Sequence, residues 1–241
     1  MNDLINLLKR SEYVVAFTGA GVSTLSGIPD FRGPDGIYKR VDADRIFDVN
    51  YFVQDPSYYY SHAKEFIYEL HLREPSIVHT ECARLEEAGI VGAVITQNID
   101  MLHRRAGSKN VIEVHGSPTV HRCLQCGREY SYDWASECVH RDEVPTCEAC
   151  GGLVKPDITF FGELLPEGAI QRATEEASRA DLMLVLGTSL FVQPAASLPL
   201  YTLESGGAIA IVNQGATPLD MRAACRYDDL ESCFRRIAQE V

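Results

Sequence analysis

The sequence has no apolar run approaching the roughly 20 residues that a membrane-spanning helix needs, which excludes a helical integral-membrane role. It also lacks a basic, signal-like start. MNDLINLLKR carries Asp3 early and shows no A-x-A cleavage site, so we expect a first helix of the mature protein and a reducing, cytoplasmic location. Positive charge is scarce: 22 Lys and Arg stand against 34 Asp and Glu, a formal net charge of −12. Such a surface repels phosphate backbones, which argues against direct nucleic-acid binding, and it steers basic partners such as Lys-rich peptides. Solubility alone would also account for the charge. No internal repeat and no low-complexity tract occurs. With 46% apolar and 23% charged residues, 241 residues can form one large domain or a domain carrying inserts.

Six short apolar runs are present, at 13–17, 93–96, 111–114, 158–161, 182–186 and 208–212. They predict strands buried on both faces, with helices near 76–88, 166–179 and 194–205 between them. This alternation predicts an α/β fold: a doubly wound, mostly parallel six-stranded Rossmann-like sheet. Residues 34–75 hold no clear strand and read as a loop followed by helices. Residues 118–155 show little periodicity and contain cysteines.

Of eight cysteines, four stand as Cys123-x-x-Cys126 and Cys147-x-x-Cys150, with Gly127 and Gly151 just after each pair. Two tight turns each offering two thiolates predict a closed tetrahedral Zn2+ site. Four protein ligands leave no position for a catalytic water, so the metal is expected to be structural. Cys82, Cys138, Cys225 and Cys233 show no pairing pattern. The expected division is therefore 1–33, 76–117 and 156–241 as the Rossmann-like nucleotide-binding domain, 34–75 as a cofactor loop and helical module, and 118–155 as a zinc-binding insert.

Gly19-Ala20-Gly21 follows the first strand and precedes a helix start at Ser23-Thr24. Glycines there let backbone approach a pyrophosphate, and helix N-terminal amides bind its charge. The dehydrogenase pattern then fails. Thr24 stands where a third Gly or Ala belongs, and no strand precedes Asp42 or Asp44. A nucleotide site without hydride transfer remains. Further polar residues leave predicted strand ends: Gln97, Asn98 and Asp100; His115-Gly116; Gly187-Thr188-Ser189; Asn213-Gln214. Open α/β sheets place ligands there, and His115 beside amides, hydroxyls and an acid is the general-base candidate.

Assembled in order, GAGVSTLSGIPDFRG (19–33), TQNIDMLH (96–103), EVHGS (113–117), the cysteine quartet, KPDITFFGE (155–163), GTSL (187–190) and IVN (211–213) resemble the sirtuins, NAD-dependent protein deacylases, in their short catalytic-core form. The resemblance implies acyl transfer from acetyl-lysine to the ribose of NAD, releasing nicotinamide, O-acetyl-ADP-ribose and free lysine. His115 and Asn98 would be catalytic, the first as base for a ribose hydroxyl, the second ordering the ribose and a water. Asp100 and Ile99 would receive the carboxamide, and Phe31 would cover the nicotinamide site. Ala20, Thr24 and Arg32 would meet phosphates and ribose, and Gln97 a ribose. Thr188, Ser189, Asn213 and Gln214 would hold the adenosine half, with Asp229 and Leu230 near the adenine. Gly19, Gly21, Asp30 and Gly187 count with the cofactor-binding set.

The resemblance also implies an acetylated protein partner bound as an extended peptide that adds as a strand. Phe161-Gly162-Glu163 would form one edge and the Phe191-Val192 segment the other, with the acyl-lysine stem lined by His115, Phe161 and Val192. It implies a monomer. Relatives that remove succinyl or malonyl groups use a Tyr-x-x-Arg pair, which the corresponding stretch, 61–65, lacks; acetyl is the expected group. Alternatives on the same fold are a mono-ADP-ribosyltransferase or a broader-chain deacylase. From another class comes a zinc-ribbon adaptor or an NAD-sensing binding module without turnover.

Overall fold

A computed structural model describes residues 1–241 except Arg32, Pro34 and Asp35, with backbone alone at Ala43 and Asp44. Nine strands form among the described residues: β1 (Val14–Thr18), β2 (Val91–Thr96), β3 (Val111–Glu113), β4 (Gly116–Cys123), β5 (Glu129–Ser131), β6 (Val154–Ile158), β7 (Leu182–Leu186), β8 (Ala208–Val212) and β9 (Cys225–Tyr227). The chain divides into two units. One comprises Met1–Gly27, Glu74–Val114 and Pro166–Val241; the other comprises Ile28–Arg73 and His115–Leu165. Residues 34–73 and 118–155, expected to belong to separate inserts, fall in the second unit, and residues 74–75 fall in the first.

The first unit is built on a six-stranded sheet of order β3-β2-β1-β7-β8-β9, parallel throughout. Every residue of β1 and β7 is buried, which is why neither strand alternates apolar with polar. Helices Asn2–Arg10, Ile77–Glu87 and Leu230–Glu240 carry Leu4, Leu8, Cys82, Leu85, Phe234 and Ile237 into one core with Val14, Ala16 and Leu184. Their starts are specified locally. Ser76 and His79 form a reciprocal cap on the second of these helices, and Asp229 caps the third by accepting from the Ser232 amide. The strand order runs outward from β1 to β3 and resumes from β7 to β9. The carboxyl ends of β1 and β7 therefore flank the topological switch point, where such sheets bind ligands.

Two strand expectations are corrected. The run 158–161 is not a strand of the parallel sheet: β6 ends at Ile158 and lies antiparallel to β4 in a separate sheet of order β5-β4-β6. The sixth parallel strand is β9, whose Cys-Arg-Tyr offers no apolar run to read.

The second unit buries Ile46, Phe52, Ile67, Leu70, Val139, Val154 and Phe160. Helices Val49–Gln54 and Pro56–Phe66 bring Phe52 and Tyr59 edge-on and tilted against Phe160, at ring-centroid separations of 5.3 and 5.1 Å. Asp48 and Asp55 cap these helices through their carboxylates. Buried Tyr68 and His121 share a hydrogen bond of 2.8 Å.

Candidate active site

In the first unit, the turn after β1 is shaped by close packing. The Gly19 amide donates to the Leu186 carbonyl and the Gly21 amide to the Gly187 carbonyl, both at 2.9 Å. A Cβ on Gly19 would stand 2.7 Å from Thr188 Cβ, and one on Gly21 2.8 Å from Gly187 Cα. Gly187 itself has φ +59 and faces the Val22 amide. The glycines of GAG and GTS are thus required where two strand-end turns touch, a cause separate from any phosphate. Ala20 and Thr24 flank this turn, and the Thr24 hydroxyl is folded back onto the Gly21 carbonyl at 2.8 Å.

Behind the turn lies a buried polar network. Asn98, 7% exposed, donates from its amide to the Gly19 carbonyl at 3.0 Å and to the Ser23 hydroxyl at 3.1 Å. Ser23 donates to Asp100 Oδ2 at 2.6 Å, and Asp100 Oδ1 accepts the Leu102 amide at 2.9 Å. The loop from Gln97 to Asp100 is also tied from below. The Asn98 amide donates to the Thr96 hydroxyl at 3.0 Å, which accepts from the Thr18 hydroxyl at 2.9 Å. Thr18 in turn meets His103 Nε2 at 3.0 Å. His103 packs its ring 4.6 Å from that of His79. Burial pushes His79 down to about 4 despite the nearby Asp100, and holds His103 well below the usual imidazole range. Both are neutral supports of the loop. Thr18 and His79 were not singled out from sequence, and Ser23 and His103, though inside the quoted motifs, were given no role there. Ile99 is half-buried beside Asn98.

The residues expected on the adenosine side follow two further strand ends. The Thr188 hydroxyl accepts from Gln97 Nε2 at 3.0 Å, joining the ends of β2 and β7; Ser189 follows, half-buried. After β8, the Asn213 side chain donates to the Gly215 carbonyl at 2.8 Å. Arg226 on β9 donates to the Asn213, Gln214 and Gly215 carbonyls at 3.1, 3.5 and 2.9 Å, and Gln214 itself is exposed. This clamp was missed because a single Arg in a short strand has no local signal. The Asp229 carboxylate is engaged as a helix cap, and Leu230 packs partly against the core. Val192 accepts the Ala196 amide at 2.9 Å, while neighbouring Phe191 is 65% exposed.

In the second unit, His115 directly follows the last residue of the first. Its carbonyl accepts the Thr159 amide at 2.8 Å. Gly116 has φ +77, and a Cβ there would stand 2.1 Å from the Asp157 carbonyl oxygen, so only glycine lets β4 and β6 approach directly after the histidine. Asp30 closes a turn by accepting the Gly33 amide at 2.8 Å, and Phe31 sets its ring against Tyr38 and Phe47 at 5.5 and 5.9 Å. Arg32 lies outside the described residues. Of the adjacent pair, Phe160 is core at 1% exposed and Phe161 is 47% exposed. Phe161 donates to the Phe47 carbonyl and accepts the Val49 amide, so its backbone is paired within the unit. Gly162 follows at φ +93.

The Sγ atoms of Cys123, Cys126, Cys147 and Cys150 lie within 4.8 Å of one another, and all eight cysteines are free of disulfides. Separations of 3.5 Å (Cys123–Cys150) and 3.6 Å (Cys126–Cys147) suit a tetrahedron of about 2.3 Å metal–sulfur bonds. The Tyr130 hydroxyl and Gln125 amide donate to Cys147 and Cys123, as donors around thiolate ligands do. The donor set fits zinc with no open position.

The Sir2 family profile matches residues 19–194. The chain belongs to the Sir2 family. Among curated Sir2 relatives, the "NAD-dependent protein deacetylase" of Thermotoga maritima is 46% identical over 241 residues, covering 100% of this chain and 98% of that one. "NAD-dependent protein deacylase 1" of Archaeoglobus fulgidus is 42% identical over 219 residues, covering 90% and 87%. Among solved Sir2 structures, a complex with deacetylated p53 peptide and 3′-O-acetyl-ADP-ribose superposes with a TM-score of 0.95 at 46% identity, over 100% of this chain and 98% of that one. A Sir2–p53 peptide–NAD+ structure gives 0.93 at 45%, with the same coverage.

Proposed function

We propose that this Sir2 protein is an NAD-dependent protein-lysine deacetylase. It transfers the acetyl group of acetyl-lysine to the ribose of NAD, giving nicotinamide, O-acetyl-ADP-ribose and free lysine. The observation that carries this reading is the buried Asn98–Ser23–Asp100 network at the switch point, in a chain similar over its whole length to a relative named as such a deacetylase.

NAD supplies the ribose carbon that receives the acyl oxygen as nicotinamide departs. Asp100 and Ile99 take the nicotinamide carboxamide, and Asn98, fixed at its amide end, orders the ribose and a water. Gln97, Thr188, Ser189, Asn213, Gln214 and Leu230 serve the rest of the cofactor, with Gly19, Ala20, Gly21, Thr24, Asp30, Arg32 and Gly187 around its phosphates and ribose. Phe31 shields the reacting centre from water. His115 takes the proton of a ribose hydroxyl as a neutral imidazole, a role that suits operation near pH 7. The substrate is an extended acetyl-lysine peptide along Gly162 and Glu163 and along Val192, with Phe161 against the lysine stem. Residues 34–75 act as the cofactor module and 118–155 as a zinc-stapled insert of the same enzyme.

Acetyl is favoured over succinyl. The stretch 61–65 of helix Pro56–Phe66 lacks the Tyr-x-x-Arg pair, Tyr59 and Ala63 are buried, and Glu65 would repel an acyl carboxylate. We assign the protein to the cytoplasm as a monomer with no nucleic-acid or membrane partner, in keeping with its −12 charge. Among the described residues no helix is long and apolar enough to cross a membrane. The test is mass spectrometry of the purified protein with NAD and matched acetyl and succinyl peptides, beside a no-NAD control. NAD-dependent loss of acetyl is expected. ADP-ribosylated protein without deacetylation would replace this reading with a transferase.

A further inference from the structure

Lys155 is a cation held at 5% exposure in the second unit. Its ammonium donates to the carbonyls of Pro156 and Ile158 at 3.2 and 2.7 Å and pairs with Glu163 Oε2 at 2.9 Å. It stands 4.2 Å from the Phe160 ring centroid. The same Glu163 oxygen accepts the Phe160 amide at 2.7 Å, and the Glu163 amide returns to the Phe160 carbonyl at 3.0 Å. Residues 155–163 are therefore closed into a loop around one buried ion. Within that loop Thr159 holds the His115 carbonyl, and Phe161 pairs with Phe47 and Val49. Burial pushes the lysine pKa down, and the Glu163 carboxylate opposes that fall.

A buried ion pair is weak evidence of net stability, since desolvation offsets most of the attraction. What this pair does is fix a shape. One Glu163 oxygen, Oε2, takes both Lys155 and the Phe160 amide, which fixes the orientation of the carboxylate and of the loop that carries it. We infer that Lys155 is a positioning residue for substrate: through Glu163 it sets the Phe161–Gly162–Glu163 edge along which the acetyl-lysine peptide lies. The inference rests on the deacetylase reading.

The test combines kinetics with hydrogen exchange on Lys155→Met, Lys155→Arg and Glu163→Gln. For Lys155→Met the peptide KM is expected to rise about tenfold while the NAD KM stays within about twofold, with Phe160 and Glu163 amides exchanging faster. Lys155→Arg keeps a cation and should recover part of the peptide KM. Glu163→Gln keeps an acceptor for the Phe160 amide and should fall between. If Lys155→Met does not fold, the other two variants carry the test. Unchanged exchange at 160–163, or peptide and NAD KM rising together with a lowered Tm, would overturn the clamp. Exchange is read on the substrate-free protein, so clamp failure is distinct from failure of the deacetylase reading, which would show as no turnover by the wild type.

Discussion

The two units solve the problem of order by different physics. The parallel-sheet unit buries continuous apolar strands under amphipathic helices, and its polar residues gather where the strands end. The other unit has a small apolar cluster of Cys123, Tyr130, Cys147 and Val154 backed by Trp134. Beside buried Ile46, Phe52, Ile67, Val139 and Phe160 it adds point devices: four cysteine thiols, a Tyr–His pair, a buried lysine and a packed set of aromatic rings. The contrast teaches where each is vulnerable. Loss of one device should be local and severe in the second unit, while loss of one apolar side chain should be graded in the first.

Zinc removal should break the comparison most strongly. Chelation, or Cys147→Ala, withdraws metal-binding free energy on the order of 10 kcal/mol that is coupled to folding. Exchange protection should collapse around 118–155 and survive in β1, β2 and β7. A zinc-free protein with an intact second unit would refute the structural role of the quartet.

Phe234→Ala, at a site of 0% exposure in the first unit, should cost about 3–5 kcal/mol in urea unfolding without changing zinc content. Loss of zinc from this variant would show that the units do not differ as described.

Acid should act on both units by one route. His79 and His121 are held down to about 4, and His103 well below the usual imidazole range, all chiefly by burial. The unfolded chain, with imidazoles near 6.5, takes up protons first. Stability is therefore full above that pH and is lost as pH falls from about 6.5 toward 4, by up to about 1.4 kcal/mol per pH unit for each histidine. His121→Asn should remove one proton from that slope. A flat profile from pH 7 to 5 would contradict the burial argument.

The smallest effects concern glycines. Gly21→Ala should cost about 1–3 kcal/mol through overpacking against Gly187 and should weaken NAD binding. Gly116→Ala should cost at least as much in the second unit, since its φ is positive and β6 stands in the way. Equal NAD affinity for wild type and Gly21→Ala would remove the turn from the cofactor site.

The parallel sheet was legible because β1, β2, β7 and β8 are unbroken apolar runs, and the zinc site because paired thiols have one common use at that spacing. Ile-Thr-Phe-Phe misled because β-branched and aromatic residues read as strand wherever they fall, and here only the first belongs to β6. β9 was invisible at three residues of mixed polarity. His115 and Asn98 could be read from their place after strands. The contacts of Thr18, His79 and Lys155 could not, because a single polar residue looks like surface until the fold buries it.

The central claim is that His115 acts as the base of an NAD-consuming deacetylation. The most direct measurement follows nicotinamide exchange and deacetylation together in wild type and His115→Ala, with zinc content as control. The account predicts one nicotinamide and one O-acetyl-ADP-ribose per acetyl lost by wild type. In the variant, deacetylation should be abolished while exchange is better preserved and zinc is unchanged. Equal loss of both activities in a folded, zinc-loaded variant, or deacetylation that persists, would contradict it.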